Sequence, residues 1–270
     1  MDTDATTTRL TVADGTTLAV DSVGEGRPLI LVGGAFNDRS TVAGLGAELA
    51  ADFRIVTYDR RGRSGSDDES PAGEYRVADE VGDLAAVIAH VGGRACLFGH
   101  SSGGVLALEG AMAGLPIDRV AVYETPYSAD PDLPRPPAEA YEQLKALVAE
   151  GDKDGAASLF LGTYIGVPEQ ALDGMRQGPA WGFLRERALS LPYDVLLCAP
   201  SEPIPAERLA ALSLPLLAVY GDETAPGLAA ATRAVAATVP GAELVVIEGE
   251  DHAVLQRPAV LAPILARFFG

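Results

Sequence analysis

The sequence predicts an α/β fold: a mostly parallel sheet flanked by helices, with one helical insertion. Three observations lead there. Short apolar runs recur at 28–32 (PLILV), 54–58 (RIVTY), 95–98 (ACLF), 119–123 (RVAVY), 216–220 (LLAVY) and 243–247 (ELVVI). Segments of helical periodicity separate most of them, and strands alternating with helices mean βαβ units. That rhythm stops between about 127 and 204, where the chain carries Pro131, Pro134, Pro136 and Pro137, helical stretches such as 138–149, and no clear strand. At 270 residues, 48 % of them hydrophobic, the chain suits one domain with one insertion. The expected division is a first core part over 1–126, a helical lid over 127–205 and a second core part over 206–270.

Taken in order, Leu10–Val12 and Thr17–Asp21 read as strands joined by a turn at Asp14-Gly15. The strand Pro28–Val32 runs into Gly33-Gly34-Ala35-Phe36, and Asp38 or Ser40 caps a helix reaching about Ala51. Arg54–Tyr58 is the next strand, closing on Asp59-Arg60-Arg61-Gly62-Arg63-Ser64-Gly65-Ser66. The three arginines there are expected on a salt-bridged surface. A helix over about Val77–Val91 leads to the strand 95–98 and its following helix. After Arg119–Tyr123 and the insertion come Leu216–Tyr220, a helix over Gly227–Val239, Glu243–Ile247 and a last helix over Pro258–Phe269.

Composition narrows the function classes. Twenty basic against 38 acidic residues give a net charge of −18, which repels nucleic acid and anionic membranes. Two cysteines, Cys96 and Cys198, supply neither a disulfide framework nor metal-ligand spacing. The start, MDTDATTTRL, has no basic and apolar signal pattern, and no apolar run is long enough to cross a bilayer. The expectation is a cytoplasmic protein with a small-molecule substrate, without cofactor or metal.

The chemistry centres on Gly99-His100-Ser101-Ser102-Gly103, a G-x-S-x-G sequence between a strand and a helix. Small residues at Gly99 and Gly103 let strand and helix close on a strained turn, lifting the Ser101 hydroxyl out of the sheet. The turn also leaves the Ser102 N–H at a helix N-terminus, where negative charge is stabilised. A serine needs a positioned base. Of three histidines, His90 ends a helix and His100 lies within the turn, pointing away from where a base must stand. His252, in the loop after the last strand, is the candidate base. The base needs a carboxylate at another strand end to hold its tautomer.

The strand with Gly33-Gly34, the run 59–66, the elbow 99–103 and Gly249-Glu250-Asp251-His252 together resemble the α/β-hydrolase superfamily over nearly the whole chain. The resemblance implies an α/β-hydrolase fold with a Ser–acid–His order. In most members the acid lies three residues beyond the glycine that ends the strand before last; here Thr224 holds that place in Gly221-Asp222-Glu223-Thr224. Two alternatives remain. Asp222 or Glu223 serves from a shifted loop, or the acid is Glu124, at the end of the strand after the elbow helix. Haloalkane dehalogenases and zearalenone-type lactonases use the second location, and the lactonases place a glutamate there with a following x-Pro, as in Thr125-Pro126. The resemblance therefore implies Ser101, Glu124 and His252 as the triad.

The oxyanion donors it implies are the N–H groups of Ser102 and Ala35, with Phe36 N–H as the neighbouring choice. Pocket walls are expected from Phe36, Tyr127, Tyr164 and Trp181, with Phe183 a further aromatic of the insertion. The implied activity is hydrolysis of a hydrophobic carboxylic ester or lactone through an acyl-enzyme. The alternatives are carbon–carbon or cyanohydrin cleavage by the same triad, or a ligand-binding protein that keeps the elbow without its acid.

Overall fold

The computed structural model describes residues 6–68, 75–129, 135–199 and 203–270; Pro131, Pro134 and the first five residues of the amino-terminal stretch lie outside them. Eight strands form one sheet: β1 (Thr6–Thr11), β2 (Thr17–Val23), β3 (Pro28–Val32), β4 (Arg54–Tyr58), β5 (Ala95–His100), β6 (Ile117–Tyr123), β7 (Leu216–Gly221) and β8 (Glu243–Ile247). Their order is β1-β2-β4-β3-β5-β6-β7-β8. β1 pairs antiparallel with β2 and β2 with β4; every other pairing is parallel. The amino-terminal hairpin turns at Asp14-Gly15, where Gly15 takes φ 95°.

Side chains alternate across the pleat, which splits the core in two. Leu29, Leu31, Phe98 and Leu217 face α1 (Arg39–Leu49) and α11 (Pro258–Phe269). Ile30, Val32, Leu97 and Val122 face α2 (Val77–His90), α3 (Ser102–Met112) and α10 (Pro226–Thr238). Asp38 caps α1, its carboxylate accepting from the N–H groups of Ser40 and Thr41.

Between β6 and β7 lie α4 (Ala140–Ala149), α5 (Lys153–Leu159) continuing into a π-helical stretch, α6 (Glu169–Gln177), α7 (Trp181–Glu186), α8 (Leu191–Cys198) and α9 (Ala206–Ala210). Leu144, Phe160, Leu161, Trp181 and Leu191 give this insertion a core of its own, and Phe36 reaches up from the loop after β3 to join it.

The three arginines after β4 are buried, against the surface expectation: Arg60, Arg61 and Arg63 are at most 5 % exposed. Each meets carboxylates from distant segments. Arg60 pairs with Glu80, Arg61 with Asp83 through two contacts of 2.7 Å, and Arg63 with Asp194. Arg61 also reaches Asp14 at 2.9 Å, tying the amino-terminal hairpin to α2.

His100, the last residue of β5, is buried too. Its Nε2–H donates to the His252 carbonyl at 2.9 Å, joining the end of β5 to the loop after β8. Burial, reinforced by the neighbouring His252, pushes its pKa down to about 3.

Two outcomes follow from these buried groups. Arg61→Ala takes from buried Asp83 its main partner, the one that offsets the upward pull of burial on its pKa; it should lower the unfolding free energy by about 3–5 kcal/mol, read from urea denaturation. His100 is neutral in the folded chain down to about pH 3, whereas the unfolded chain takes up its proton near 6.5. Between those values the unfolded state binds more protons, so stability falls as pH drops, by up to about 1.4 kcal/mol per pH unit from this group. His100→Gln should therefore lose less stability than the parent between pH 7 and pH 5.

Candidate active site

Ser101 stands between β5 and α3 at φ 55°, ψ −126°, a strained conformation for a residue with a side chain. The close approach of strand and helix produces it. A Cβ on Gly99 would lie 2.4 Å from the Gly103 carbonyl oxygen, and one on Gly103 would lie 2.3 Å from that of Val32. Ser101 N–H donates to the Tyr123 carbonyl at 2.9 Å, and Gly104 N–H to the Ser101 carbonyl at 2.9 Å. The turn is thus anchored to β6 on one side and to its own helix on the other. Ser101 is partly exposed, while His100 and Ser102 on either side are buried.

Glu124 follows the neighbouring strand β6, where His100 and Tyr123 stand in register. Its backbone also takes a positive φ, 50°, and its side chain is fully buried. Three donors converge on the carboxylate. Gly221 N–H reaches Oε1 at 2.9 Å, Thr224 Oγ1–H reaches Oε2 at 2.8 Å, and His252 Nδ1 lies 2.7 Å from Oε2. A carboxylate oxygen only accepts, so Nδ1 is the donor of this bond, and in a neutral imidazole with that tautomer Nε2 is the acceptor. The loop carrying His252 is held at two successive carbonyls, Asp251 by the Tyr123 hydroxyl at 2.7 Å and His252 by His100.

Asp222 and Glu223 do not join this cluster. Both are exposed; Asp222 accepts the Gly249 N–H at 2.7 Å, and Glu223 donates its own N–H to the Glu250 carbonyl. Thr224 is the informative residue of that segment. Standing where the acid usually stands, it turns its hydroxyl to Glu124 instead.

Opposite the elbow, the loop after β3 presses on Ser101: a Cβ on Gly34 would lie 2.6 Å from Ser101 Cβ. Arg63 Nη1 grips the Gly34 carbonyl at 2.6 Å and that of Asn37 at 3.2 Å. A trans peptide points its C=O and N–H in opposite directions. With Gly34 O turned to Arg63, Ala35 N–H therefore faces away from that guanidinium. Phe36 holds φ 58° and packs edge-on against Phe160 of the insertion, ring centroids 5.5 Å apart.

The other aromatics separate. Tyr164 stacks near Phe160 and lines a cleft of about 180 Å³ with Tyr141, Pro137 and Val195. Trp181 is buried in the insertion's own core, its indole N–H on Asp154 at 2.7 Å. Phe183 is 40 % exposed beneath the Arg187 guanidinium. Tyr127 lies in the core shared by α3, α9 and α10, its hydroxyl buried without a partner.

Sequence reasoning missed a second buried cluster beside the elbow. Asp194 of α8 accepts the Ser102 hydroxyl at 2.6 Å, Arg60 at 3.0 Å and Arg63 at 2.8 and 2.9 Å. Burial alone would raise its pKa, but the Arg63 and Arg60 charges and the Ser102 hydroxyl outweigh that and hold it low. One signal was available: Asp194 is the single charged residue in the run Leu191–Cys198. Among the described residues no group of three or more His, Cys, Asp or Glu is placed to hold a metal ion, and no helix is long and apolar enough to cross a membrane.

Comparison with known proteins bears on the fold. The crystal structure of an alpha/beta hydrolase from Sphaerobacter thermophilus is 38 % identical and superposes with a TM-score of 0.90, over 97 % of this chain and 100 % of that one. The 2-(acetamidomethylene)succinate hydrolase of Mesorhizobium japonicum is 28 % identical over 87 % of this chain and 85 % of that protein. The enol-lactonase of Burkholderia xenovorans shares the fold at 20 % identity, with a TM-score of 0.74 over 97 % of this chain and 99 % of that one. The sequence profile of the Alpha/beta hydrolase family matches residues 29–264, and with the elbow, the sheet order and these likenesses it establishes that this chain belongs to the alpha/beta hydrolase family.

Proposed function

We propose that the chain is a serine hydrolase that cleaves the carboxylic ester or lactone of a hydrophobic small molecule through an acyl-enzyme. The observation that carries the reading is the buried Glu124 carboxylate against His252 Nδ1, at the same sheet edge as the strained Ser101. Ser101 Oγ attacks the carbonyl carbon while its proton passes to His252 Nε2. The oxyanion meets the N–H groups of Ala35 and Ser102. Collapse expels the alkoxide, which takes the proton from His252. Water, deprotonated by the same imidazole, then attacks the acyl-enzyme, and Ser101 recovers its proton as the acid departs.

Glu124 orients His252 and stabilises the imidazolium formed during transfer. Thr224 and Gly221 each donate a further hydrogen bond to that carboxylate, which fixes the fully buried side chain. Phe36, next to Ala35 in the loop after β3, packs on Phe160 of the insertion, so an apolar acyl or alcohol group suits that side of the site. The helices between β6 and β7 are the lid of this site in the proposal, over the segment 127–205. The Glu124–His252 contact favours a working triad over a binding-only protein. One observation favours a neighbouring chemistry: the Mesorhizobium relative's name describes an amide-bearing succinate. The same triad serves amide cleavage, so a substrate panel should contain N-acyl compounds beside esters and lactones.

Intact-mass analysis after treatment with a fluorophosphonate tests the reading. One adduct is expected on the parent chain and none on Ser101→Ala; an adduct retained by Ser101→Ala would overturn it. On p-nitrophenyl butyrate, Glu124→Gln should lower kcat by about 10³–10⁴-fold. Thr224→Val removes only one bond to the acid and should cost about tenfold. Equal losses in Asp222→Asn and Glu124→Gln would show that the acid is wrongly assigned.

A further inference from the structure

Asp194 lies where packing alone would favour an apolar side chain. It is 1 % exposed on α8, flanked by Val195 and Leu197 and packed against α3. Burying a carboxylate costs several kcal/mol per ion before its partners are counted. Its partners lead to both halves of the proposed oxyanion hole. The Ser102 hydroxyl, 2.6 Å away, belongs to the residue that follows the nucleophile and carries one N–H donor. Arg63, doubly bonded to the carboxylate, carries on its other nitrogen the Gly34 carbonyl, which shares a peptide unit with Ala35 N–H. One side chain of the insertion therefore holds, within two bonds, the two peptide groups that must converge on the same oxygen.

We propose that Asp194 is a positioning residue for the oxyanion hole. Through Ser102 and Arg63 it sets the two N–H donors, and acyl transfer thereby depends on α8 being seated on the elbow. The role rests on the serine mechanism proposed above. The cost of losing it follows from geometry: an oxyanion donor acts only within about 2.7–3.1 Å of the developing charge. Complete loss of a donor typically costs 10²–10³-fold, so a misplaced donor should cost less. A residue that merely held the lid in place would change substrate binding first. Asp194 in this role changes the rate of bond formation at unchanged binding.

The test is the rate of Ser101 phosphonylation by a fluorophosphonate, with the first-order constant and the half-saturation concentration measured separately. It is run on the parent, Ser102→Ala, Asp194→Ala and the double variant. Ser102→Ala keeps the backbone N–H and leaves Asp194 with both arginines, so it reports even if Asp194→Ala fails to fold. The expected result is a first-order constant lowered about 10- to 100-fold in Ser102→Ala, with half-saturation within about threefold of the parent. Asp194→Ala should fall at least as far, and the double variant no further than Asp194→Ala, because both substitutions break the same chain of contacts. Asp194→Asn, which keeps an acceptor oxygen for Ser102, should recover part of the loss. A parent that labels, with Ser102→Ala labelling at the parent rate, would overturn the positioning role and leave the serine mechanism standing. Additive losses in the double variant would do the same. A parent that takes no label from this probe would overturn both.

Discussion

The site depends on a contact with no room for a side chain, the crossing of β5 and α3 at Gly99 and Gly103. Because the two backbones touch there, the residue between them must take a conformation that costs about 1–3 kcal/mol. That is a sizeable share of the 5–15 kcal/mol by which an ordinary domain is stable. The strain is held by hydrogen bonds to β6 and α3 and by the loop after β3, which closes on Ser101 at Gly34. What it yields is a hydroxyl raised above the sheet, beside an N–H group that a regular helix interior would have engaged.

Around that point the protein spends its buried charge in two different ways. Glu124 is a lone carboxylate with no guanidinium beside it, bonded to a backbone amide, a hydroxyl and an imidazole. Asp194 faces two guanidinium groups and a hydroxyl, an arrangement bound by full charges. The first sets a carboxylate directly against an imidazole nitrogen. The second balances only with Glu80 counted on Arg60, two carboxylates against two guanidinium groups, and suits a fixed mount. Arg60 extends that mount to Glu80, itself bonded to the Tyr75 hydroxyl, so the elbow, the β4 loop, α2 and α8 share one polar lattice.

The fold was legible in the sequence because its signals are local. Runs such as PLILV and LLAVY declare buried parallel strands by themselves, and the glycines around Ser101 declare the elbow. The site was legible in part. Glu124 entered as one of two alternatives, since a strand-end carboxylate and a displaced Thr224 look alike whether or not they meet. Their meeting depends on β6 and β7 being neighbours, which no short window contains. The arginines after β4 were misread for the same reason: an Arg-rich turn looks solvated until Glu80, Asp83 and Asp194 arrive from elsewhere in the chain. Aromatic residues of the insertion were the least legible. An aromatic side chain fills an insertion's own core and a pocket wall equally well, and Trp181 lies in such a core.

The register that sets His100 beside Tyr123 carries one more consequence. Ser101 and Glu124 each stand one residue past a pair in register, and Ser101 N–H bonds the Tyr123 carbonyl, so the backbone positions of the two residues are fixed relative to each other by one strand pairing. The separation left to fluctuate is that of the loop bearing His252, and that loop is fastened at two carbonyls by side chains of the same pair of strands. Ser101, Glu124 and His252 are therefore referenced to two adjacent strands, and Gly221 at the end of β7 and Thr224 in the loop after it tie that assembly to a third.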